Sequence, residues 1–76
     1  MKKSEFILRI EEIVEAEPGM VKVSDGLSDI GWDSMAMLGF QSLLDFELDT
    51  RVPIEHIIAC KTVGDLIAVV GAKLCD

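Results

Sequence analysis

Few side chains in this sequence are placed to do chemistry. Fourteen residues separate Cys60 from Cys75, and His56 is the single histidine. That spacing matches no zinc pattern, so the thiols read as reduced structural residues and no metal site is expected. His56 has no orienting acid in a plausible position, which removes a Cys–His nucleophilic pair. Glu5, Glu11, Glu12 and Glu15 spread over one side of the first segment and read as a solvated outer face, not an acid/base pair. Gly19, Gly26 and Gly31 are spaced as turn glycines and form no phosphate-binding fingerprint. What remains is Gly31-Trp32-Asp33-Ser34-Met35. A serine opening a helix after a long loop is exposed at the positive end of the helix dipole, where free backbone amides favour an anion. A phosphodiester on Ser34 would meet favourable electrostatics there. The competing reading is that Ser34 or Asp33 only caps the helix, and on spacing alone the cap is favoured.

The elements that must position this pentapeptide are helical. Phe6, Ile10, Ile13 and Val14 share one face of a segment from Ser4 to Glu17, with the 3.6-residue period of an amphipathic helix. Ser4 is its expected N-cap, and Pro18-Gly19 its stop. Residues 19 to 32 form a long connection rich in turn formers, which Val21, Val23, Leu27 and Ile30 should pin to the bundle. The second helix is expected from Asp33-Ser34 to about Leu48. It has two apolar lines: Met37, Phe40, Leu44 and Leu48 on one, and Met35, Leu38 and Phe46 on its neighbour. That width implies either a deeply buried central helix or an exposed apolar strip for a partner, and periodicity alone favours burial. Pro53 opens a short Ile-rich turn at a first helical position. Thr62-Val63-Gly64-Asp65 has the form of a capping box for the last helix, whose core face is Val63, Leu66, Ile67, Val70 and Leu74. No segment shows sustained strand alternation. The expected fold is all-α: a small bundle of three longer helices and one short one, with a long loop between the first and second.

Size and charge narrow the function classes. The 76 residues make one domain, 1–76, and 14 acidic against 7 basic side chains give a formal charge of −7. Such a surface repels nucleic acid and suits basic protein partners. No apolar run is long enough for membrane insertion, and the apolar run near the N-terminus is broken too early by Arg9 to be a signal peptide, so a cytoplasmic chain is expected.

The pentapeptide resembles the Asp-Ser-Leu-type motif of acyl carrier proteins and peptidyl carrier domains. The likeness continues through the apolar helix, Asp49-Thr50, Val52-Pro53, the Ile-rich turn and Lys61-Thr62-Val63, and so covers essentially the whole chain. It implies that Ser34 receives 4′-phosphopantetheine from coenzyme A, with Asp33 as its motif partner. It further implies a magnesium-dependent phosphopantetheinyl transferase, an acyl-loading ligase or transferase, and downstream acyl-processing enzymes as partners. The chain itself would be no enzyme, but a monomeric carrier of an acyl or aminoacyl thioester. Two departures stand out. Met35 replaces the common leucine, a nearly volume-conserving change. The second helix is poor in acids, with only Asp45 and Glu47 near its end, where carriers of fatty acid synthesis are strongly acidic. Met35, Leu38 and Phe46 are therefore expected to form an apolar docking strip for a dedicated partner in a specialised pathway such as polyketide or other secondary metabolism. The alternatives are a housekeeping carrier of fatty acid synthesis and a helical adaptor that never carries the arm.

Overall fold

A computed structural model of the chain describes residues 1–75. Four helices follow one another: α1 (Lys3–Ile13), α2 (Ser34–Glu47), α3 (Ile54–Ile58) and α4 (Val63–Val69), with 3-10 turns at Leu27–Asp29 and Gly71–Lys73. Among the described residues the only β-pairing is two isolated bridges, Lys2 with Cys75 and Gly26 with Thr62. The all-α bundle with three longer helices and one short one is the architecture the periodicity implied.

The core gathers where the apolar stripes meet. Phe6 and Ile10 of α1, Phe40 and Leu44 of α2, Ile57 of α3, and Val63 and Leu66 of α4 are all essentially inaccessible. Each such side chain contributes about 1.5–3 kcal/mol of burial free energy. Leu43 also faces this core, although its position outside both apolar lines of α2 gave no reason to expect it there. Phe40 is the hub of an aromatic row. Its ring meets Phe6 edge-on at 5.8 Å and Trp32 edge-on at 5.6 Å.

Helix α1 departs from expectation at both ends. Its N-cap is Lys2, and Ser4 lies inside the helix. It stops well before Pro18. Glu15 takes a left-handed conformation at φ 59°; its amide donates to the Glu12 carbonyl at 3.2 Å and the Ala16 amide to the Glu11 carbonyl at 2.8 Å. This paired closure ends a helix by backbone geometry, usually with glycine at the left-handed position. The sequence offers glutamate there, so the stop is hidden.

Glu11 is the larger correction. It is not part of the solvated face but only 2 % exposed. Its Oε2 accepts the Gly19 amide at 2.8 Å and the Val21 amide at 3.0 Å. A buried loop turn needs acceptors for its amides, and this carboxylate supplies them. Its other oxygen, Oε1, is buried without a hydrogen-bond partner.

Beyond that anchor the long loop is stitched to the start of α4. Leu27 donates to the Lys61 carbonyl at 2.8 Å, Val63 to Asp25 at 3.0 Å and Gly64 to Val23 at 2.9 Å. A Cβ at Gly64 would sit 3.2 Å from Val23 Cγ1, so the close approach of the two backbones favours glycine there. Val21 and Leu27 are buried as expected, but Val23 is 51 % exposed and pins the loop through its backbone instead. The expected capping box of α4 is present: Thr62 Oγ1 accepts the Asp65 amide at 3.2 Å, and Asp65 Oδ2 accepts the amides of Lys61 and Thr62 at 2.9 and 3.1 Å. Pro53 serves as N-cap of α3 and not as its first helical residue. Ile67 and Leu74 are half-buried.

Candidate functional site

The segment leading into α2 is held from both sides. Gly31 adopts φ 79°, a conformation that reverses the chain at little steric cost only for glycine. The Trp32 amide donates back to the Leu27 carbonyl at 3.1 Å. The Trp32 ring then packs edge-on against Phe40 in the core, while its indole N–H is buried without a partner. These restraints fix the backbone two residues before Ser34.

Asp33 is the N-cap of α2, in extended conformation, and its Oδ1 accepts the Ala36 amide at 2.9 Å. The first intrahelical bond runs from the Met37 amide to the Asp33 carbonyl at 3.0 Å. Ser34 is therefore the first residue of a 14-residue helix, and it is exposed. Its own amide and that of Met35 have no acceptor within the helix, because the first turn of any α-helix leaves its amides free. An exposed hydroxyl beside free amides at the positive helix end suits a phosphate ester. Capping and attachment no longer compete: Asp33 caps, and the Ser34 hydroxyl is left available.

The second apolar line of α2 proves to be uncovered. Met35 is 75 % exposed, Leu38 60 % and Phe46 87 %, against 0 % for Phe40 and 1 % for Leu44 on the first line. The burial that periodicity favoured for these three residues is thus incorrect. In so small a bundle the neighbouring segments border that side only at its edges, Val52 near Leu38 and Ile13 near Phe46, and leave the side chains largely uncovered. Along Ser34–Leu44 the helix carries no charged residue, and its acids, Asp45 and Glu47, come in the last turn. Glu47 pairs with Arg9 of α1 at 2.9 Å.

The remaining reactive side chains stay apart from this site. His56 is exposed on α3. Both cysteines are free; Cys60 donates its thiol to the His56 carbonyl at 3.3 Å, and burial, with Asp65 as a lesser influence, pushes its pKa up. That makes it a poor nucleophile. Among the described residues no group of three or more His, Cys, Asp or Glu could hold a metal ion. No helix among them is long and apolar enough to cross a membrane.

Residues 6–70 match the family described as the phosphopantetheine attachment site. The chain is also similar to a hybrid PKS-NRPS synthetase of Fusarium sp, at 31% identity over 95% of this chain. It is 29% identical over the same share to fusarin C synthetases of Gibberella fujikuroi and Gibberella moniliformis. The chain spans about 2% of the length of each of these relatives. No solved structure matches it.

Proposed function

The chain belongs to the phosphopantetheine attachment site family, and from that premise we propose that it is a carrier whose Ser34 holds the prosthetic arm. Members of this family bind 4′-phosphopantetheine covalently, and the arm's terminal thiol supplies the thioester link to the cargo. The observation that carries the reading is the exposed Ser34 hydroxyl at the first position of α2, within the matched region. The roles of the chain's own residues follow from their geometry. Asp33 holds the helix start in place through the Ala36 amide, Gly31 and Trp32 fix the approach, and the free amides of Ser34 and Met35 stabilise the phosphate charge. The chain performs no bond chemistry; it tethers an acyl or aminoacyl group and so raises its concentration at each partner.

Its partners are a phosphopantetheinyl transferase, a loading ligase or transferase, and downstream acyl-processing enzymes, met by a cytoplasmic monomer. Met35, Leu38 and Phe46 form the docking strip. Their exposure, beside an uncharged stretch of α2, favours a dedicated partner in a specialised pathway over the strongly acidic docking of fatty acid synthesis. The relatives among PKS-NRPS synthetases support the same choice. On this reading Leu38→Glu or Phe46→Glu impairs cargo transfer while leaving the unfolding midpoint nearly unchanged; equal loss of both would remove the strip from the proposal.

The test of attachment is the intact mass after incubation with coenzyme A, magnesium and a broad-specificity phosphopantetheinyl transferase. One phosphopantetheine addition is expected, absent in Ser34→Ala. No addition to the folded chain, with a known carrier modified in parallel, would refute it.

A further inference from the structure

The fold gives the four methionines of this chain unequal access to solvent. Met1 and Met37 are half-buried and pack against the core. Met20, in the loop after α1, is 65 % exposed, and Met35, in the first turn of α2, is 75 % exposed. A thioether has no proton to lose, so its reaction with a peroxide is governed by access. The product, a sulfoxide, is polar where the parent side chain was apolar.

Met35 differs from Met20 in what it adjoins. It directly follows Ser34, and helical side chains lean toward the N-terminus, so its thioether lies over the turn that carries the serine. An enzyme that closes on the Ser34 hydroxyl has to cover Met35 as well. Met35 also stands on the uncovered apolar line of α2 with Leu38 and Phe46, and those two hydrocarbon side chains have no sulfur to oxidise. The fold around it is held by other groups: Asp33 caps the helix through the Ala36 amide, and Ala36 and Phe40 are the buried residues of this end of α2. A polar change at Met35 therefore alters the surface beside Ser34 without reaching the core.

We propose that Met35 is a redox modification site, and that its oxidation by hydrogen peroxide switches off enzymes that act at Ser34. The Met35 sulfur attacks one peroxide oxygen, an S–O bond forms as the O–O bond breaks, and the departing hydroxide takes up the remaining proton as water. Sulfur is oxidised by two electrons and the peroxide is reduced. A thiol-dependent sulfoxide reductase reverses the step, removing the oxygen as water while two thiols become a disulfide. The inference rests on attachment at Ser34 and adds a means of controlling it.

The experiment treats the full chain with hydrogen peroxide and then with a thiol reductant, which restores disulfides and sulfenic acids at the cysteines. Fragment masses place each added oxygen, a thermal melt confirms folding, and intact mass follows phosphopantetheine addition by the broad-specificity transferase. Each loading rate is divided by that of the same chain untreated. Met35 and Met20 should gain oxygen before Met37. The wild-type ratio should fall about tenfold, the weight of one good apolar contact at a docked surface, and return after methionine sulfoxide reductases for both epimers. Met20→Leu should show the same fall. Met35→Leu, whatever its own rate, should show none. Oxidation of Met37 ahead of Met35, a wild-type ratio unchanged with Met35 oxidised, or an equal fall in Met35→Leu overturns the switch and leaves the carrier reading standing. An untreated chain that takes no arm, beside a known carrier that does, overturns both.

Discussion

Replacing Glu11 by alanine should damage this fold more than any other single change on α1 outside its apolar face. The wild-type carboxylate takes two amide hydrogen bonds, from Gly19 and Val21, at a site 2 % exposed. Bonds to a charged group contribute about 1.5–3 kcal/mol each, so the pair is worth roughly 3–6 kcal/mol gross. The unpartnered Oε1 offsets about 1–3 kcal/mol of that. The net loss in Glu11→Ala is then about 2–3 kcal/mol, in a domain whose whole stability is on the order of 4–8 kcal/mol. Glu11→Gln keeps an acceptor oxygen for both amides and should lose only about 1 kcal/mol. Urea denaturation of the two variants beside the wild type measures this directly. At about 4–8 °C per kcal/mol for a domain of this size, the alanine variant should melt roughly 10–25 °C lower. Amide exchange gives the local readout: protection at Gly19 and Val21 should fall in Glu11→Ala and persist in Glu11→Gln. A loss below about 1 kcal/mol for alanine, with both amides still protected, would refute the view that this carboxylate anchors the loop.

Three further outcomes follow from the same geometry. Glu15→Gly should raise stability by about 0.5–1 kcal/mol, because glycine relieves the left-handed strain at φ 59° by more than its added chain entropy costs; a thermal melt no higher than wild type would contradict this. Gly31→Ala should cost about 1–2 kcal/mol through backbone strain alone, since φ is 79° and a Cβ would meet nothing within 4 Å; phosphopantetheine loading rates at low temperature, where the variant stays folded, would show whether the misdirected loop also slows modification. Asp65 accepts the amides of Lys61 and then Thr62, which hold its carboxyl below the ordinary aspartate range. Its folded pKa is thus below its unfolded one, so its stabilisation is complete above the unfolded value of about 3.9 and fades as pH falls through the lower folded value. Asp65→Asn should make the acid limb of a stability–pH curve shallower between about pH 5 and 2, and an unchanged slope would exclude the capping box from acid unfolding.

What the sequence determined by itself was chemistry acting over a few residues. Asp33 capping α2, Ser34 left exposed at its first position, the Thr62–Asp65 box and the buried line of Phe40, Leu44 and Leu48 were all legible. Each depends on backbone groups one turn away or on one face of one helix. The end of α1 was local too, but masked, because its left-handed closure uses Glu15 where glycine is the readable sign.

The tertiary structure decided which surfaces of each helix found a cover. The apolar width of α2 was visible, yet its pattern could not say that Phe40 would be sealed while Phe46, on the neighbouring line, would stand 87 % exposed. That outcome turns on which side of α2 the other three helices occupy. Glu11 shows the converse. Its place among acids on the polar side of α1 suggested water, and only the return of the loop over that side buried it and gave it two amides to hold. Periodicity reports how a helix divides its own surface. Burial is settled by neighbours distant in sequence, and in a 76-residue chain there are too few elements to cover every apolar face, so one was left open.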